Sequence, residues 1–162
     1  MKNFLKYKTE LNLLVIFSTV SIMFAFYVEY VLGHEPCNLC LLQRLPYILT
    51  IILVISVFIL KDLEKLSFLL LSLIFLSGTL LSLYHAGIEQ GLISESFVCG
   101  SKIDTSITDK MEILKQLENK PISCKDVTFS IFGISLATIN TFISAMVTFI
   151  TLNIFIKYEK KR

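Results

Sequence analysis

Charge is scarce in this 162-residue chain: Asp, Glu, Lys and Arg make up 17% of it, against 54% hydrophobic residues. That shortage argues against a soluble bundle, which would have too few polar residues to cover its helices. The formal net charge is only +2, and no basic stripe interleaved with aromatics is present, so nothing points to nucleic acid. Nothing resembles a haem, flavin or nucleotide site. No internal repeat, low-complexity tract or second domain breaks the pattern. The basic start MKNFLKYK precedes an apolar run that is too long for a signal-peptide core. No small-x-small cleavage site follows it, so an uncleaved first membrane helix is expected.

What the chain does have is four stretches almost free of charge, Leu11–Val28, Leu45–Leu60, Leu66–Ile88 and Val127–Ile156. Each is long enough, or nearly so, to cross about 30 Å of hydrocarbon as a helix. The second is short, and reaches a full span only if Leu39–Leu45, including Arg44, enters the membrane or its interface. The expected fold is therefore an all-α membrane protein, one integral domain over residues 1–162. It is a four-helix bundle with spans at about 11–32, 42–60, 66–88 and 127–156 and an outer loop over 89–126. Lys2, Lys6 and Lys8, then Lys61 and Lys65, then Lys157, Lys160, Lys161 and Arg162 fall on one side of such a bundle. The positive-inside rule makes that side, with both termini, cytoplasmic. Within the outer loop, Thr108 reads as an N-cap with Glu112 soon after. Met111, Leu114 and Leu117 recur at helical spacing, as in a short amphipathic surface helix. Lys120-Pro121 ends it. Gly78 with Ser82, and Gly133 with Ala137, are small residues four apart that let helices approach closely in lipid. Asn140 reads as an interhelical hydrogen-bonding residue.

This topology places all four cysteines, Cys37, Cys40, Cys99 and Cys124, on the outer side, where disulfides persist. Four cysteines allow three pairings; the local one joins Cys37 to Cys40 and leaves Cys99 with Cys124. A C-x-x-C pair is half of a zinc site, a structural staple or a redox dithiol. Zinc usually takes four ligands in closely spaced pairs. Cys99 and Cys124 are far apart, and His34 and His85 complete no recognisable zinc spacing. Closing the loop from Cys99 to Cys124 would constrain the unfolded chain by roughly 3–4 kcal/mol. A Cys37–Cys40 bond closes almost no loop, and is more naturally a reactive one. A structural disulfide below about −300 mV lies roughly 8 kcal/mol from oxidising a dithiol oxidant near −120 mV. A disulfide that donates oxidation must be destabilised or driven by a stronger acceptor. The acceptor class already in the lipid is a quinone.

Arg44 gains meaning beside these cysteines. With Pro36 as the first helical residue, Cys37, Cys40 and Arg44 fall at i, i+3 and i+7 on one face. A thiolate there is stabilised, and the guanidinium is placed to hold a quinone carbonyl as it gains negative charge. Without the cysteines Arg44 would read as an interfacial anchor. Pro46 disfavours helix at Leu45, and a kink or a helix start there weakens the shared face. His85, at the outer end of the third span, lies at similar depth and is a candidate donor to a quinone. Gln43 and Tyr47 are weaker candidates.

These residues carry a resemblance. C-N-L-C-L-L-Q-R-L-P-Y at Cys37–Tyr47, L-Y-H-A-G-I-E at Leu83–Glu89, the loop cysteines and F-G-I-S-L-A-T-I-N at Phe132–Asn140 are together similar to the disulfide bond formation protein B (DsbB) family. The resemblance covers nearly the whole chain. It implies a quinone-dependent thiol oxidase of the bacterial inner membrane. Cys99–Cys124 would oxidise a periplasmic, thioredoxin-fold partner of the DsbA type, with Cys99 forming the mixed disulfide. Electrons would then pass to Cys37–Cys40. Cys40 would contact the quinone, ubiquinone or menaquinone, beside Arg44, with His85 at the same site. Gln43 stands where some members carry an acidic residue. The contrasting expectation is a non-enzymatic structural or zinc-binding membrane module.

Overall fold

The computed structural model describes residues 2–59, 64–95, 98–99, 123–127 and 129–160. The loop helix expected around Met111, Leu114 and Leu117 lies outside the described residues. Helix α1 (Lys2–Phe26) runs into a single π-helical turn, Tyr27–Val31. Gly33 follows at φ +73°, a left-handed conformation that ends the helix, and the His34 N–H closes back on the Val28 carbonyl at 3.1 Å. Next come a short α2 (Asn38–Leu42), then α3 (Leu45–Ile59) and α4 (Glu64–Glu89). After the outer loop, strands β1 (Ser130–Ile131) and β2 (Ile134–Ser135) pair antiparallel and lead into α5 (Leu136–Lys160).

Among the described residues, four helical segments are long and apolar enough to cross a membrane: Lys8–Val31, Asn38–Ile59, Leu66–Glu89 and Leu136–Lys157. α2 and α3 together make the second of these. α1 packs on α3, which packs on α4, and α4 has its most extensive contact with α5. A buried apolar core that includes Val54, Phe68, Leu71 and Phe75 coexists with many apolar residues facing outward and several small polar ones facing inward. Ile16, Val20, Leu80, Phe142 and Phe149 are exposed, while Ser18, Thr50, Ser67, Ser82, Ser144 and Thr151 are buried. Lipid gives apolar side chains no reason to turn inward, so small residues that let backbones approach line the contacts. Gly78 is one of these. A Cβ there would lie 3.0 Å from Pro46 Cγ and 3.8 Å from Ser144 Oγ, so its hydrogen lets α4 close onto the starts of α3 and the middle of α5.

Three local expectations are corrected. Pro36 is not the first helical residue. Cys37 is the extended N-cap, and its sulfur accepts the Cys40 N–H at 3.3 Å. Cys37, Cys40 and Arg44 do not share one helix face, because the chain turns at Gln43–Arg44 between α2 and α3. Pro46 has no N–H to give the Leu42 carbonyl, so the helix restarts at Leu45 with Pro46 in its first turn, where the missing donor is tolerated. Gly133 and Ala137 are not a pair on one helix. Phe132 and Gly133 have φ +51° and +80°, as the two central residues of a tight hairpin turn require. That hairpin occupies residues that hydropathy alone assigns to the fourth span.

Candidate functional site

The cysteines gather at one end of the helices. Cys37, Leu39, Ile88, Cys99 and Cys124 form one buried cluster, with Cys40, Leu81 and Tyr84 packed against it. Cys99 and Cys124 are joined as a disulfide, and both are almost fully buried. Cys37 and Cys40 are free thiols with sulfurs 2.9 Å apart. Either sulfur can donate to the other. The Ser123 hydroxyl and the Lys125 N–H both donate to the Glu95 carboxylate, tying together the two ends of the outer loop next to the disulfide.

His85 is buried on α4 and faces this pair. Its Nε2 is 3.5 Å from Cys37 Sγ and 3.7 Å from Glu89 Oε1, one helical turn on. Its Nδ1 is 2.7 Å from Gln43 Nε2. Gln43 in turn accepts from Asn140 Nδ2 at 2.9 Å, and Asn140 Oδ1 accepts the Tyr47 hydroxyl at 2.5 Å. The turn at Gln43–Arg44 explains this linkage: it points the Gln43 amide between α4 and α5 instead of out to lipid. In the reduced pair the Cys37 thiol is lowered from an ordinary 9.0 to about 4. The Cys40 thiol donating to its sulfur is the main cause. Burial opposes this, and His85 reinforces it.

Arg44 leaves the cysteine face but not their surroundings. Its guanidinium is 2.6 Å from Glu29 and lies over the Phe26 ring at 5.1 Å. Glu29 sits in the π-turn of α1, and the wider turn carries its carboxylate to Arg44. A cavity of about 270 Å³ is lined by both Arg44 and the cysteines Cys37 and Cys40. Gln43, His85, Glu89 and Asn140 are among its other polar residues, and Val28 and Ile143 among its apolar ones. Donors on Arg44 and His85 amid apolar side chains match the chemistry of an apolar ring with carbonyl acceptors. Separately, Cys37, Cys40 and His85 bring three metal-binding atoms within 4.8 Å of one another.

Of the residues predicted from sequence, Cys37, Cys40, Gln43, Arg44 and His85 all line this cavity, and Tyr47 joins them. Cys99 and Cys124 pack behind Cys37. Sequence reasoning gave Glu29 and Glu89 no role and Asn140 only a general one. Glu29 carried a usable signal, a carboxylate in an otherwise apolar span at the depth of a lone arginine. Glu89 carried another, four residues after His85 on the same helix.

The sequence model for the family described as disulfide bond formation protein DsbB matches residues 8–154. An uncharacterised protein of Rickettsia prowazekii, RP370, is 31% identical over 137 residues, covering 83% of this chain and 80% of that protein. Disulfide bond formation protein B of Acinetobacter baumannii is 50% identical over 40 residues, which span 25% of this chain and 23% of that protein. No solved structure matches the chain. With four membrane-spanning helices and two cysteine pairs in one buried cluster, the chain belongs to the DsbB family and is a multi-pass, disulfide-forming membrane oxidoreductase.

Proposed function

We propose that this protein reoxidises a periplasmic DsbA-type dithiol partner and passes the electrons to a membrane quinone, ubiquinone or menaquinone. The observation that carries this reading is the packing of Cys99–Cys124 against Cys37, with Cys37 and Cys40 both lining the cavity that Arg44 also lines. Two electrons and two protons leave the partner's dithiol as its own disulfide forms and Cys99–Cys124 is reduced, with Cys99 making the mixed disulfide. Exchange with Cys37–Cys40 then restores Cys99–Cys124 and leaves the inner pair reduced. A quinone supplies the two-electron acceptor for that pair. Arg44 and His85 would hold its carbonyl oxygens, and the guanidinium would stabilise negative charge as it develops. The apolar wall keeps water from the thiolate. In this reading both termini are cytoplasmic and the cysteines face the periplasm of a bacterial inner membrane.

The test is a steady-state assay in detergent with a reduced thioredoxin-fold partner and soluble ubiquinone and menaquinone analogues. Quinone reduction matched one to one by partner disulfide is expected, and Cys40→Ser should abolish it. Absence of quinone reduction with all four cysteines intact would refute the reading. The three-donor cluster of Cys37, Cys40 and His85 supports a second reading, a zinc-binding membrane module. Stoichiometric zinc on the purified protein, with no thiol turnover, would favour it.

A further inference from the structure

We propose that Tyr47, Asn140 and Gln43 form a one-way hydrogen-bond chain that fixes His85 in its Nε2–H tautomer, with that proton facing Cys37. A hydroxyl can donate or accept, so the direction is set by how the two amides are placed: Asn140 Oδ1 toward Tyr47, and Gln43 Nε2 toward His85. The Tyr47 hydroxyl donates to Asn140 Oδ1, so the Asn140 amide nitrogen faces Gln43 Oε1 at 2.9 Å. Ser144 Oγ, at 3.5 Å, is a second hydroxyl on Asn140 Oδ1. Gln43 must then present its NH₂ group to His85 Nδ1, at 2.7 Å. Nδ1 can only accept there, and a neutral imidazole carries its one proton on the other nitrogen. The surroundings of Nε2 fit that proton: Cys37 Sγ at 3.5 Å and the Glu89 carboxylate at 3.7 Å are both acceptors. The backbone of Cys124 also interacts with the ring, and Cys40 faces Cys37 from α2. Two amides cannot carry a proton along the chain. Their part is to hold orientation, so Tyr47, Asn140 and Gln43 are positioning residues acting through His85. This deepens the redox reading of the same site, but its readouts need neither quinone nor partner.

The experiment is ¹⁵N-histidine NMR of the full-length, inner-pair-reduced protein in detergent, with the His85 signal assigned by loss in His85→Gln. The wild type should show the Nε2–H tautomer. Asn140→Leu removes the anchor of the Gln43 amide and should give a mixture of tautomers. Gln43→Glu sets a carboxylate against Nδ1 and should place a proton there. The same Asn140→Leu protein should show the pH midpoint of Cys37 alkylation about one pH unit higher, the loss of one hydrogen bond to a charged group. If Asn140→Leu fails to fold, Tyr47→Phe, which deletes only a hydroxyl, serves in its place with the same expected mixture. An Nδ1–H tautomer in the wild type would overturn the proposal. So would a tautomer unchanged in both Gln43→Glu and the anchor variant.

Discussion

Cys37 and Arg44 are each defined by one immediate neighbour. For Cys37 that neighbour is the Cys40 thiol, with His85 behind it. Its pKa lies below the ordinary 9.0, at about 4, so the anion persists as pH falls from 9 and is lost only through the lower value. Alkylation of Cys37 in the reduced protein should therefore stay nearly flat from pH 9 to pH 5 and then fall. Replacing Cys40 by Ala removes the main cause and should move that fall upward. Stopped-flow alkylation with mass mapping checks both. For Arg44 the neighbour is Glu29, at 2.6 Å with both side chains largely buried. Removing one partner of such a pair leaves an uncompensated charge, which costs about 3–5 kcal/mol. Glu29→Gln should lower the thermal unfolding temperature in detergent, and adding Arg44→Ala should recover part of the loss. Arg44→Ala alone should also raise the apparent KM for quinone.

Among the elements, the broken second span matters most. α2 carries the cysteines, α3 carries the membrane crossing, and the turn at Gln43–Arg44 lets two polar side chains leave in different directions. Gln43 goes toward His85 and Asn140, and Arg44 goes toward Glu29. Pro46 sits at the restart with Gly78 of α4 packed against its ring. Gly78→Val should push Pro46 away, because an added Cβ already meets Pro46 Cγ at 3.0 Å. Overpacking of this kind typically costs 1–3 kcal/mol, so about that loss of stability is expected. The displaced turn should also reduce quinone turnover. Thermal unfolding together with the quinone assay separates this from a purely local effect, since Gly78 itself does not line the cavity.

At the scale of the whole molecule, the chain keeps its chemistry at one end of the bundle. The disulfide, the free pair, His85 and Arg44 all lie toward the same ends of the spans. The proposed orientation makes those ends periplasmic. Single-cysteine variants in spheroplasts should then be modified by a membrane-impermeant maleimide at Cys99 after urea. A cysteine introduced at Lys157 should react only once the membrane is permeabilised. Labelling of position 157 in intact spheroplasts would reverse the orientation.

Four charge-poor runs were enough to read a four-span membrane fold from sequence, and four cysteines with Arg44 to expect a site, because hydropathy and residue type are properties of the chain itself. Where helices break was less legible. Pro46 signalled an interruption, but not whether the helix kinked or restarted there; the structure has it restart at Leu45. The hairpin at Phe132–Gly133 lay hidden in an apolar run, since hydropathy does not distinguish a short strand pair from a helix turn. The partners of the polar side chains were not legible. Glu29 and Arg44 are brought together by a π-turn, and Tyr47, Asn140, Gln43 and His85 come from three helices. Sequence determined which groups enter the membrane. Tertiary structure decided which of them meet, because in lipid each buried polar group takes whatever partner helix packing brings within reach.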